Sequence, residues 1–156
     1  MGWSFISRPG VVDEISRLPL THLSVNVREI KLTPVLINTL SKITHLDNLA
    51  MFNDLTILDH FTSLTHLSFL FARDTASEIF ERFPKLKVLI YYDCFDYITK
   101  PVVRPFSPDK DPPGFVRMAR GTRGGFEDWL ADITDGEGIW GLAEEAIEKR
   151  KEQEKL

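Results

Sequence analysis

Apolar residues return along the first ninety positions in short clusters, each broken by a polar pair. Leu20-Thr21-His22-Leu23, Ile43-Thr44-His45-Leu46 and Leu64-Thr65-His66-Leu67 begin at 20, 43 and 64, and Leu86-Lys87-Val88-Leu89 is a degenerate fourth. Apolar positions then alternate with polar ones, as Leu20-x-x-Leu23-x-Val25, Leu64-x-x-Leu67-x-Phe69 and Leu86-x-x-Leu89-x-Tyr91. Alternation is the period of a strand with one face in a core. The second unit departs, because Asn48 follows Ile43-x-x-Leu46 where an apolar residue is expected. A bulge, or a shift that brings in Leu49 and Met51, would repair it.

Helix signals fill the intervals. Val11 to Leu18 precedes the first strand. Thr33-Pro34 is a cap and first-turn pair ahead of Val35 to Leu40. Asn53 or Asp54 can cap Leu55 through Phe61. Thr75-x-x-Glu78 is a capping box for a helix with Ile79, Phe80 and Phe83 on its apolar side, ending at Pro84.

Strand, turn, helix, turn at spacings of 23, 21 and 22 residues predicts an α/β chain with a parallel sheet and helices on its outer side. Each unit is too small to bury its own apolar face and has to stack on its neighbours. In length and pattern the units resemble leucine-rich repeats, which run at about 20–29 residues. The expected fold is a short leucine-rich-repeat solenoid of about four repeats, closed by a C-terminal helical cap.

Alternation assigns the faces. Leu23, Val25 and Val27 point inward, leaving His22, Ser24, Asn26 and Arg28 on the open side. His22, His45, His66 and Val88 fall in one column, and Ser24, Asp47, Ser68 and Ile90 in the next. With Tyr92, the polar members (His22, Ser24, His45, Asp47, His66, Ser68) are the expected partner-binding surface.

The period breaks after Asp93. Residues 1–93 read as repeat-like units, 94–125 as a loop with a last strand at Phe115 to Ala119, and 126–156 as a helical cap with a solvated tail. Within that cap Phe126 to Ile133 predicts a short helix carrying Trp129. A final helix starts near Thr134 or Asp135, with Ile139, Leu142, Ala143, Ala146 and Ile147 as its apolar stripe. Glu148 to Lys155 is expected to be solvated or frayed.

Composition changes little in this picture. The 156 residues are 43% hydrophobic and 27% charged, as in ordinary globular chains, and the net charge of −4 weighs against nucleic-acid binding. One cysteine, Cys94, excludes an internal disulfide and suits a reducing compartment. No apolar run reaches the roughly 20 residues of a membrane span, and the N-terminus has no apolar signal-peptide region. An intracellular protein, cytoplasmic or nuclear, is expected.

The candidate chemistry is thin. Three aligned histidines suggest zinc, but a straight row on one sheet face does not make a tetrahedron. Ser24 or Ser68 beside a histidine lacks a nucleophile elbow and an oxyanion hole. Arg123-Gly124-Gly125 is a single RGG triplet, and Asp132-x-Thr134-x-Gly136 lacks the acidic pattern of a calcium loop. No catalytic residue, metal or cofactor is expected.

The Leu/Ile-Thr-His-Leu units and the Phe83-Pro84-Lys85-Leu86-Lys87-Val88-Leu89 segment carry a wider resemblance. So do the ending Asp111-Pro112-Pro113-Gly114-Phe115-Val116, Glu127-Asp128-Trp129, and Trp140 before Ala143-Glu144. Together they resemble the leucine-rich-repeat part of basidiomycete fungal F-box-like proteins, over roughly Leu18 to Arg150. That resemblance implies the substrate-recognition part of a cullin–RING ubiquitin-ligase receptor. An F-box does not fit in the short stretch ahead of Leu20, so ligase function does not carry over with the repeats. The expectation is a non-catalytic module binding a protein or peptide on its concave face. The alternative is a truncated receptor fragment with a structural role, which would self-associate through its N-terminal edge strand.

Overall fold

A computed structural model describes residues 11–27, 30–51, 55–70, 76–96, 101–108, 111–121 and 138–155. The chain is α/β, and among the described residues six strands, mostly parallel, fall three to each of two compact units, Met1–Leu70 and Phe71–Leu156. Arg28, Asn53, Asp54, Thr75 and the helix expected over Phe126 to Ile133 lie outside the described residues, as do Trp3, Phe5 and Ile6, the candidates for a partial strand capping the first edge.

In the first unit α1 (Val11–Arg17) packs against α2 (Pro34–Leu40), and three strands run side by side: β1 (His22–Val25), β2 (His45–Met51) and β3 (His66–Leu70). Both strand pairs are parallel. β1 and β2 place His22 opposite His45, Leu23 opposite Leu46, Ser24 opposite Asp47 and Val25 opposite Asn48. β2 and β3 continue the columns with His66, Leu67 and Ser68. The leucine column is the reason for the register. Leu46 and Leu67 are fully buried, as are Ile43 and Leu64 at the start of their units. A slip of one residue would turn these side chains to the other face.

The departure in the second unit is resolved as anticipated. The register shifts between Asp47 and Met51, so that Met51 stands opposite Leu70. Asn48 keeps its core position, fully buried, because its side-chain oxygen accepts the Val27 N–H at 3.2 Å. It thereby satisfies a backbone donor just past the end of β1.

Local signals decide the helices. Thr33 caps α2, accepting Leu36 N–H at 3.2 Å, with Pro34 at the start of the helix. Such a cap contributes about 1 kcal/mol. The helix expected over Leu55 to Phe61 is instead a five-residue 3-10 turn, Thr56–His60. A seven-residue bulged strand within a 21-residue repeat leaves too few residues for an α-helix, and 3-10 geometry spans more length per residue.

The second unit holds α3 (Ala76–Arg82), β4 (Val88–Asp96), β5 (Val102–Val103), β6 (Phe115–Gly121) and α4 (Ile139–Gln153). β6, expected as a last strand, runs parallel to β4, and β5 lies antiparallel to β6 in a stretch that reads as pure loop. Phe115, Val116, Met118 and Ala119 are buried. β6 begins where Leu89 N–H donates to the Gly114 carbonyl at 2.9 Å. A Cβ on Gly114 would stand 2.4 Å from the Lys87 carbonyl oxygen and 2.9 Å from the Phe80 ring. Gly114→Ala is therefore expected to destabilise the chain by about 1–3 kcal/mol, the range for forced overpacking. A lowered urea midpoint checks this; an unchanged midpoint would mean the strand can give way there.

α4 buries Ile139, Trp140, Ala143 and Ile147 against β4, β5 and β6, so the expected apolar stripe is present, with Leu142 and Ala146 half-buried. The helix starts later than expected, because Gly138 is extended and takes the N-cap position. It also stays helical through the expected frayed tail, carrying exposed Glu145–Lys149 and Glu148–Lys151 pairs at 2.6 Å. Arg150 ties it down. Its guanidinium lies 4.0 Å from the centre of the Phe106 ring and donates to the Phe115 carbonyl at 2.7 Å.

Candidate functional site

The repeated Thr-His pair builds a ladder in the first unit. The His22 and His45 rings stack with centroids 4.0 Å apart and planes 15° from parallel, and His45 and His66 stack at 4.0 Å and 9°. In-register parallel strands put like residues at this spacing.

Each threonine orients its histidine. Thr44 Oγ1 donates to the Thr21 carbonyl at 3.1 Å and lies 2.9 Å from His45 Nδ1. Thr65 Oγ1 donates to the Thr44 carbonyl at 3.2 Å and lies 2.8 Å from His66 Nδ1. A hydroxyl has one proton and a carbonyl has none to give, so Nδ1 has to supply the hydrogen of the second contact. His45 and His66 are therefore Nδ1–H tautomers by the logic of their network. The same carbonyls also accept backbone N–H groups: Thr44 and His45 at 2.8 and 3.0 Å on Thr21, Thr65 and His66 at 2.9 and 3.0 Å on Thr44.

Burial keeps the rings of His22 and His45 uncharged. Burial pushes His45 down to about 3 from the usual 6.5, helped by the charge His66 and His22 would carry beside it. Burial also lowers His22. At neutral pH both are neutral imidazoles.

The next column is a carboxylate held between two hydroxyls. Ser24 Oγ donates to Asp47 Oδ2 at 3.0 Å, and Ser68 Oγ donates to Asp47 Oδ1. These bonds explain how a charge can sit at 2% exposure.

The structure thus brings together six of the seven expected surface residues, as one stack and one hydrogen-bonded trio. It does not leave them equally open. Ser24 is exposed and His22 and His45 are half-buried, while Asp47, His66 and Ser68 are buried. The expected open polar face survives on β1 and closes across β3, whose residues are buried on both sides, as is common in parallel sheets. Tyr92, the seventh, belongs to the second unit and is buried at 2%. It pairs with Met118, while Tyr91, expected in the core, is half-buried opposite Arg117 and near the Phe115 ring. The sequence could not separate these tyrosines, because Val88, Leu89 and Ile90 are all buried and alternation carries no signal there.

Sequence reasoning missed the threonines. Their signal was present, since a threonine precedes the histidine in all three units. Ser41 and Thr62 extend the repeat two residues upstream, with Thr62 Oγ1 donating to the Ser41 carbonyl at 3.4 Å.

Stacked rings direct their remaining nitrogens side by side rather than toward one point. Among the described residues, no three His, Cys, Asp or Glu side chains are grouped to hold a metal ion. The side chains of Cys94 and Arg120, and residue Arg123, lie outside what is described. Arg117 is held near Asp111 at 3.9 Å and donates to the Pro105 carbonyl. No described helix is long and apolar enough to cross a membrane.

Compared with known family models, curated proteins and solved structures, the chain matches none.

Proposed function

We propose that this chain is a non-catalytic, intracellular protein-interaction module, a short leucine-rich-repeat solenoid with a helical cap that binds a protein or peptide through the polar side of its repeat ladder. The observation that carries this reading is the in-register stacking of three near-identical units, Thr-His-Leu on Thr-His-Leu, across β1, β2 and β3. The resemblance to the repeat region of fungal F-box-like proteins points the same way, toward the recognition part of a ubiquitin-ligase receptor. Catalysis is disfavoured by how the polar groups are used. Both serine hydroxyls donate to Asp47, and the imidazoles of His45 and His66 give their Nδ1 protons to threonines.

The accessible part of the ladder is His22, Ser24 and His45. These are the residues for contacting a partner, while Asp47, His66 and Ser68 hold them in place. Affinity capture from the source cell with the wild-type chain and with Ser24→Arg tests this. The variant is expected to lose the captured partner while its melting temperature stays within a few degrees. A partner retained in full by the correctly folded variant would move the binding surface elsewhere.

A further inference from the structure

Among the described residues the ladder ends at β1, and the chemistry of that edge can be read from the closed rungs. At each internal rung one carbonyl oxygen receives three donors. Thr21 O takes Thr44 N–H, His45 N–H and Thr44 Oγ1–H, and Thr44 O takes the same set from Thr65 and His66. β1 lies parallel to β2 and in register with it, so the N–H groups of Thr21 and His22 and the Thr21 hydroxyl face the opposite edge in the same arrangement. Among the described residues no strand lies beyond β1. Two backbone donors converge there on the place of one further carbonyl, and the Thr21 hydroxyl is the third when His22 Nδ1, 2.9 Å away, supplies the hydrogen of their contact.

The side chains continue the specification. His22 is stacked on His45 through one face, and its other face is turned to the edge. Leu23 is half-buried where its counterparts Leu46 and Leu67 are fully buried, which leaves apolar surface at the same edge on the opposite face of the sheet. Leu18, which precedes this rung, is 53% exposed.

We propose that the edge of β1 is a docking site for an extended segment of a partner protein, one that reads aromatic–aliphatic and adds as a further parallel strand. The carbonyl before the aromatic residue accepts Thr21 N–H, His22 N–H and the Thr21 hydroxyl. The planar ring stacks on His22, and the aliphatic side chain covers Leu23. Backbone bonds supply affinity and the two side chains supply selectivity, as in other strand-addition complexes.

A second copy of this chain fits less well. A two-fold dimer would bring β1 against β1 in antiparallel fashion, which spaces the backbone bonds differently and does not deliver one carbonyl to the three donors. The site shares His22 with the polar face proposed above but takes its backbone bonds from the β1 edge, so the peptide titration tests it apart from the capture experiment.

A labelled synthetic heptapeptide with the sequence of the second rung, Lys-Ile-Thr-His-Leu-Asp-Asn, is the probe, titrated against the full chain by fluorescence anisotropy. Saturable binding is expected. Replacing the peptide's histidine by alanine is expected to weaken it about five- to tenfold, the scale of one aromatic pair. Replacing its leucine by aspartate is expected to weaken it further. Hydrogen exchange at the amides of Thr21 and His22 should slow when the peptide is bound. Absence of saturable binding, equal affinity for all three peptides, or protection only at other amides would overturn the proposal. So would a chain that sediments as a dimer with those two amides already protected, since that result gives the edge to a second copy.

Discussion

Leu67→Ala is expected to lower stability by about 2–5 kcal/mol, the range for truncating a buried leucine, enough to unfold much of a marginally stable chain. Leu67 lies in the apolar column with Leu23 and Leu46, with no exposure, on a strand where His66, Ser68 and Phe69 are also buried. Removing three carbons there loses their transfer energy and leaves a cavity that surrounding strands cannot close. Leu23→Ala removes the same atoms from the same column, but at the half-buried edge strand, and is expected to cost less than half as much. Urea denaturation of the two variants measures the difference. Equal losses would mean that the column is not graded from β1 to β3.

The second large effect is acid lability from the histidine stack. His45 titrates near 6.5 when unfolded, and the folded chain holds it down to about 3. Between those values the unfolded chain binds the proton and the folded chain does not. Stability is therefore whole above about pH 6.5 and is lost as pH falls toward about 3. His22, lowered in the same direction, adds to the loss. One pKa unit corresponds to about 1.4 kcal/mol. With solvent screening at a half-buried ring, the His45 share between pH 7 and pH 4 is about 2 kcal/mol. Carboxylates titrate in this range in any protein, so the reading comes from comparison with His45→Phe, which keeps a ring in the stack and removes the titrating group. The variant's stability should fall less steeply between pH 7 and pH 4. Parallel profiles would show that protonation of His45 does not strain the fold.

Much of the fold was legible because the chain repeats itself. The period set the strands, the leucines set the register, and Asn48 at an apolar position announced the irregularity found between Asp47 and Met51. Thr33-Pro34 announced α2, and the apolar stripe announced α4. These are local signals, each carried by residues within one turn or one strand.

What was not legible depends on what lies across the sheet. Alternation says which side a residue points to, not whether that side is covered. It placed Ser24 and Asp47 in one column, and only the structure separates the exposed hydroxyl from the buried carboxylate it binds. For the same reason it reversed Tyr91 and Tyr92. β5 has two residues, too few for any pattern, and exists because β6 offers it an edge. The roles of Thr21, Thr44 and Thr65 required the distance between rungs, which no single unit contains.

The central claim is that the Leu/Ile-Thr-His-Leu units stack in register, with Thr44 and Thr65 each bridging one imidazole and the preceding rung. The tautomers of His45 and His66 test it most directly. Long-range proton–nitrogen correlation spectra of the imidazoles at neutral pH read them without altering the chain. The account predicts a protonated Nδ1 and an unprotonated Nε2 for both residues. The opposite tautomer, with the proton on Nε2, would contradict it.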